Sequence, residues 1–374
     1  MLHSVEELQQ HLDAWDDLAS HAVEPNVFYE AWFFLPALKA FAAGQDLLFL
    51  LVYQPINAQR RKPVLCGFFP LARRRLHRLL PFRVLELWKH DFCFLTTPLL
   101  RAGLHAEAFE QFAHWLHRDR ASGCLLYLDT FAGEGPIACL LAQTLHLRGW
   151  STFLVDSYSR AIIRPQGSNA GAYLTHVLTN RRLREVRRKE RHLAEEGRLE
   201  KHLLESPTEL DRWIDDFLAI EASGWKGEAH SAMACNPQNA EFFRTMARGA
   251  SERGRLQMLA LHLNDKPVAM KCNLLSGDGG FAFKIAYDEN NASFSPGLLL
   301  EIGTIEFLFE KHPVQWMDSC ASAEHFMINR LWDGRRLIRT KYIAPGRSPG
   351  SLLVALMPLA RWFKRTIRYL LGRS

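Results

Sequence analysis

Paired cysteine motifs are missing from this chain. Its seven cysteines, at 66, 93, 124, 139, 235, 272 and 320, form no CxxC or CxxH pair and are odd in number. A disulfide framework and a structural zinc site are therefore not expected. Most lie in apolar runs such as Leu65-Cys66-Gly67 and Lys271-Cys272-Asn273, which predicts buried thiols in a reducing compartment. No apolar stretch reaches the ~18 residues that a spanning helix needs. The opening MLHSVEELQQHLDAW is acidic and amphipathic, without the basic and apolar regions of a secretory signal. The expectation is a cytoplasmic protein. A Ser-His-Asp order, HExxH, Walker A and GxGxxG are also absent from any convincing setting. Gly133-Glu134-Gly135 lacks the strand, glycine loop and helix of a dinucleotide site.

What is present fits a globular protein. The chain has 374 residues, 48% hydrophobic and 23% charged, too long for one ordinary core, so two domains are expected. A formal charge of +6 and a pI near 9.0 favour anionic partners: phosphorylated cofactors, nucleic acid or membrane surfaces.

Helical spacing appears over 4–18 and strand-like runs at 47–53, 64–71, 83–88, 124–129 and 151–156, with helices at 104–118 and 136–148. Ser157, Ser159, Pro165 and Gly167 mark a boundary, followed by one long helix over about 169–196. Helices at about 209–222 and 237–252 then precede strands at 255–263, 267–275 and 279–287. Asn264-Asp265-Lys266 and Ser276-Gly277-Asp278 join those strands with hairpin turn chemistry. A helix at 296–311, a strand at 314–318, a helix at 324–332 and a strand at 335–343 complete the order. The class is α/β (α+β). The divisions are 1–165, a connecting basic helix 166–197, a second domain 198–345 and a tail 346–374.

The third of those strands runs through a polar loop into Ser295-Pro296-Gly297 and then a helix. A helix N-terminus offers free N–H groups and positive partial charge to a phosphate. Ser295 is placed to cap, Pro296 to occupy the first turn and Gly297 to let a phosphate approach. The same triplet also suits a plain capped helix start.

Tyr287-Asp288-Glu289 and Phe294-Ser295-Pro296-Gly297-Leu298-Leu299-Leu300 resemble the acetyltransferase module of CelD-like (BioF-type) proteins of the GNAT superfamily. Glu221-Ala222-Ser223-Gly224-Trp225-Lys226, Gly254-Arg255-Leu256, Asp265-Lys266-Pro267-Val268-Ala269 and Trp316-Met317-Asp318 are similar to other parts of it, and the likeness spans about 25–345. The usual Gln/Arg-x-x-Gly-x-Gly/Ala phosphate signature is absent. The resemblance, with its fold relation to FemABX transferases, implies two tandem GNAT-like domains, each a mainly antiparallel sheet flanked by helices. The N-terminal one is acceptor-side and degenerate. It also implies acetyl-CoA or another acyl-CoA as co-substrate, no metal, and an amine acceptor in polysaccharide or cell-envelope synthesis.

Amide formation from a thioester needs a base, oxyanion donors and a proton for the leaving thiolate. By that resemblance Ile285 and Ala286 offer backbone to the acyl group, and Ser295, Gly297, Leu298 and Leu299 hold the cofactor. Tyr287 would protonate the thiolate, Asp318 orient or deprotonate the acceptor, and His325 act as base. Trp225, Lys226 and Lys284 are candidates for the acceptor side. Each has an ordinary alternative: Tyr287 packing at a strand end, Asp318 as cap, His325 on the surface and Lys284 in solvent.

Asn180–Arg191 reads NRRLREVRRKER, with Leu183, Val186 and Leu193 keeping a narrow apolar stripe. A solvated helix with an anion-binding side is expected, the anion being CoA, a tRNA-linked donor or a phosphorylated sugar. In the tail, Trp362, Phe363 and Ile367 alternate with Arg361, Lys364, Arg365 and Arg368. That suits either peripheral contact with the inner face of a membrane or docking on the protein itself. Alternatives to acyl-CoA chemistry are a FemABX-like aminoacyltransferase using aminoacyl-tRNA and a non-catalytic binding module.

Overall fold

The structure is a computed structural model that describes residues 1–54, 63–77, 82–119, 123–167, 169–346 and 349–370. The side chains of Trp225, Lys226, Lys364, Arg365 and 367–370 lie outside the description. The chain runs α1 (Val5–Gln9), α2 (Leu12–Ser20), α3 (Ala31–Phe41), β1 (Asp46–Gln54), β2 (Val64–Arg75), β3 (Arg83–Leu87), β4 (Leu99–Leu100), α4 (His105–Arg118), β5 (Leu125–Ala132), α5 (Pro136–Arg148) and β6 (Ser151–Ile163). It continues with α6 (Ala170–Val177), α7 (Asn180–Glu195), β7 (Leu199–Leu203), α8 (Leu210–Ser223), α9 (Trp225–Glu228), α10 (Pro237–Glu252), β8 (Leu256–Leu263), β9 (Lys266–Ser276) and β10 (Gly279–Tyr287). α11 (Pro296–Lys311), β11 (Trp316–Asp318), α12 (Phe326–Leu331), β12 (Gly334–Ala344) and α13 (Gly350–Leu370) close it. The class is mixed α/β, as expected.

Two compact units emerge. One contains 1–31, 42–158 and 337–374; the other contains 32–41 and 159–336. In the first, the strand order is β1-β2-β3-β5-β12, with β3 and β5 parallel and the other pairs antiparallel. Its core is rich in leucine, with Phe69 of β2 stacked on Phe112 of α4 at 4.0 Å between ring centroids.

In the second unit the order is β6-β11-β10-β9-β8-β7, where only β10 and β11 are parallel. Asn264 and Asp265 both take positive φ, 50° and 64°, between β8 and β9, as a tight hairpin with right-handed strand twist requires. The buried face of α11 packs Leu299, Leu300, Ile305 and Leu308 into the core with Leu261, Val268 and Met317. Burial of each such side chain contributes about 1.5–3 kcal/mol.

Three expectations change. The long helix over 169–196 is two helices, because Thr179 takes an extended conformation and its side chain accepts from the Arg182 N–H, starting a new helix. The strand expected at 151–156 continues to Ile163. Of the seven thiols only Cys66, Cys93 and Cys272 are buried, while Cys139 and Cys235 are exposed. α5, which carries Cys139, buries Ile137, Leu141 and Thr144 and turns its other side to water.

Candidate active site

The site begins where two strands separate. The ladder between β10 and β11 ends at Phe281↔Asp318, yet β10 runs on to Tyr287. A bulge at Phe283, where the register with β9 shifts between Ala282 and Lys284, bends β10 just beyond that point. The end of β10 therefore has β9 on one side and no β11 on the other. A small recess of about 30 Å³ lies there, lined by Ile220, Glu221, Gly224, Ile285, Ala286 and Tyr287.

α11 starts against this end. A Cβ added at Gly297 would sit 3.4 Å from the Tyr287 ring, in ordinary contact. Ser295 does not cap the helix as expected. It adopts a left-handed conformation, φ 55° and ψ 55°, with no side-chain bond to the first turn. That geometry aims its hydroxyl elsewhere: Lys189 Nζ of α7 donates to Ser295 Oγ at 2.6 Å. The amides of Leu298 and Leu299 both donate to the Ser295 carbonyl, at 2.9 and 3.2 Å, and Pro296 has none to give. Gly297 carries the remaining first-turn amide; the residue is buried beside Tyr287, close to Lys189 and the positive helix end. Leu299 is core rather than ligand surface, at 2% exposure, and Leu298 packs partly against the same core.

Asp318 is not placed as a base. It is fully buried and held by Arg160, with Nε to Oδ1 at 2.7 Å, and by Arg336, Nη1 to Oδ2 at 2.9 Å. It also accepts from the Cys320 amide at 2.9 Å. Burial pushes its carboxyl up, but Arg160 and Arg336 outweigh burial and hold it below the usual carboxylate range. A carboxylate so committed has little affinity for a substrate proton.

His325 caps α12: its Nδ1 accepts from the Ile328 amide at 3.4 Å. That bond ties Nδ1 to the start of the helix. Lys284 is not in solvent but donates to Glu221 Oε1 at 2.9 Å, while Glu221 Oε2 accepts from the Met233 amide. Tyr287, by contrast, is exposed at the strand end. Trp225 and Lys226 fall among the side chains outside the description.

Two features were not expected. Lys189 stands between Val186 and Leu193, on the stripe that buries both. A lysine on an apolar stripe was the signal. The other is a buried cluster: Lys271 Nζ to Glu301 Oε2 at 2.6 Å, and Trp332 Nε1 to Glu301 Oε1 at 3.0 Å. Along α7, Thr179, Arg181, Arg182, Arg184, Glu185 and Arg188 line an open cleft of about 730 Å³. Among the described residues no His, Cys, Asp or Glu cluster could hold a metal.

Residues 180–326 match the family described as Acetyltransferase (GNAT) domain. This stretch of the second unit is thus similar to a GNAT domain. The match holds α7, the separating strands and the start of α11. Solved structures extend the likeness over most of the chain. A crystal structure of FemX superposes with TM-score 0.56 at 10% identity, covering 89% of this chain and 95% of that one. L-PGS from Bacillus licheniformis gives TM-score 0.51 at 10% identity, covering 95% and 96%. The C-terminal domain of a putative lysylphosphatidylglycerol synthetase from Agrobacterium fabrum gives 0.50 at 9% identity, covering 93% and 96%. At such identities these show a shared fold and no more. No curated protein matches the chain by sequence.

Proposed function

We propose that the chain transfers an acyl group, acetyl in the simplest case, from acyl-CoA to an amine. The observation that supports this most is the start of α11, with Lys189 and the Gly297 amide, beside the unaccompanied end of β10. A pyrophosphate would lie against Lys189 and Gly297. The thioester would then reach the Ile285–Tyr287 backbone, whose donors oppose charge on the developing oxyanion. Tyr287, exposed there, is the group positioned to protonate the leaving thiolate. Asp318 and His325 act by holding structure, so the acceptor amine arrives neutral or loses its proton to water or to a group of the acceptor itself. An acceptor from polysaccharide or envelope synthesis, as the resemblance to CelD-like proteins implies, fits this reading.

The arginine cleft along α7 favours a second reading, transfer from an aminoacyl-tRNA in the FemABX manner. The two differ in salt response. Binding of tRNA that neutralises several phosphates should fall steeply with salt, whereas acyl-CoA binding should fall gently. Filter binding of tRNA and calorimetric titration of acetyl-CoA and longer acyl-CoAs, each at two salt concentrations, separate them. Saturable tRNA binding with no acyl-CoA heat at millimolar ligand would overturn the first reading.

A further inference from the structure

α13 has two apolar faces, and among the described residues only one packs on the protein. Val354 is buried, and Leu353 and Met357 pack beside it, against Val84, Leu125 and Ala344 of the same unit. The helix start is pressed close: a Cβ on Gly350 would lie 2.2 Å from the Cys124 carbonyl oxygen. Arg361 Nη1 donates to the Val155 carbonyl at 3.1 Å on this same side. Leu352, Leu356, Leu359 and Phe363 recur at steps of four, three and four, which is a single stripe on a helix. They are 47–60% exposed, with Trp362 beside them at 59%. A stripe of large side chains left in water on a helix already docked asks for an occupant.

Charge identifies that occupant. From Gly334 onward the sequence holds ten Lys and Arg and no Asp or Glu, so the residues before it hold 36 basic against 40 acidic side chains. The positive charge of the chain is thus concentrated in this segment. α13 itself carries Arg361, Lys364, Arg365 and Arg368 and no acidic residue, so a second copy laid on the stripe would bring like charges against them. An anionic surface would be attracted instead. A helix is about 10 Å across, close to the Debye length at physiological salt, so basic groups anywhere on it act on headgroups below.

We propose that α13 seats the protein on an anionic lipid bilayer, with Leu352, Leu356, Leu359, Trp362 and Phe363 entering the interface and the docked face carrying the body of the first unit. The helix lies in the plane of the surface; among the described residues no helix is long and apolar enough to cross a membrane.

The test is flotation of the full chain with vesicles of phosphatidylcholine alone or with phosphatidylglycerol. Deleting the helix would uncover Val84 and Leu125, so substitution at exposed positions is the cleaner variant. The full chain floats with the anionic vesicles, less with neutral ones, and less at high salt. Leu356→Glu with Leu359→Glu leaves the melting temperature unchanged and weakens partitioning roughly tenfold or more. If the wild-type chain stays at the bottom with anionic vesicles at low salt, or the double variant floats equally well, the proposal is wrong. Sedimentation velocity completes the test. A wild-type dimer that the same two substitutions dissolve, without vesicle binding, would assign the stripe to a second copy instead.

Discussion

Lys189 and Asp318 show how a charged residue's neighbours decide its role. Lys189 sits on a half-buried stripe with its ammonium bonded to a neutral hydroxyl, so its charge is not cancelled by that partner. Lys189→Met should weaken acyl-CoA binding roughly tenfold or more, the loss of one charge-assisted hydrogen bond. Melting should change little. Asp318 has two guanidiniums and no access. Its lowered carboxyl makes its contribution to stability complete above the ordinary carboxylate value near 4 and lost as pH falls through the lowered one. Asp318→Asn should flatten that acid limb and cost about 3–5 kcal/mol at neutral pH, because Arg160 and Arg336 remain without a counter-charge. Urea melts from pH 7 to 2 measure both effects. An unchanged midpoint at pH 7 would contradict the assigned role.

At the scale of elements, some of the site was legible in the sequence and some was not. The hairpins of β8, β9 and β10 follow from turn residues, and α11 follows from its proline and apolar run; all are local signals. The split between α6 and α7 hangs on one threonine cap at the head of the arginine-rich helix. The left-handed turn at Ser295 is set by packing against α7, 106 residues away in the chain. The partners of Asp318 and Lys284 lie 18 to 158 residues away in the chain and leave no local trace. The same applies to the Lys271–Glu301–Trp332 cluster between β9 and α11. Lys271→Met alone should destabilise by about 3–5 kcal/mol, stranding a buried carboxylate. Adding Glu301→Gln should recover much of that, since the glutamine oxygen still accepts from the Trp332 indole. A thermal melt of the single and double variants decides it; additive losses would mean that the cluster is not coupled.

Across the whole molecule, the match to the GNAT-domain model covers 180–326, and solved structures of similar fold superpose over nearly the full length of the chain. The central claim is that the start of α11 binds acyl-CoA. Gly297 tests it directly, because a Cβ there meets Tyr287 only at ordinary contact distance. Alanine therefore fits the fold, while an indole fills the space in front of the first turn. Titration of acetyl-CoA into wild type, Gly297→Ala and Gly297→Trp should give saturable binding for the first two and none for the third, with all three folded by circular dichroism. Equal binding by Gly297→Trp, or no binding by the wild type at millimolar ligand, would contradict it.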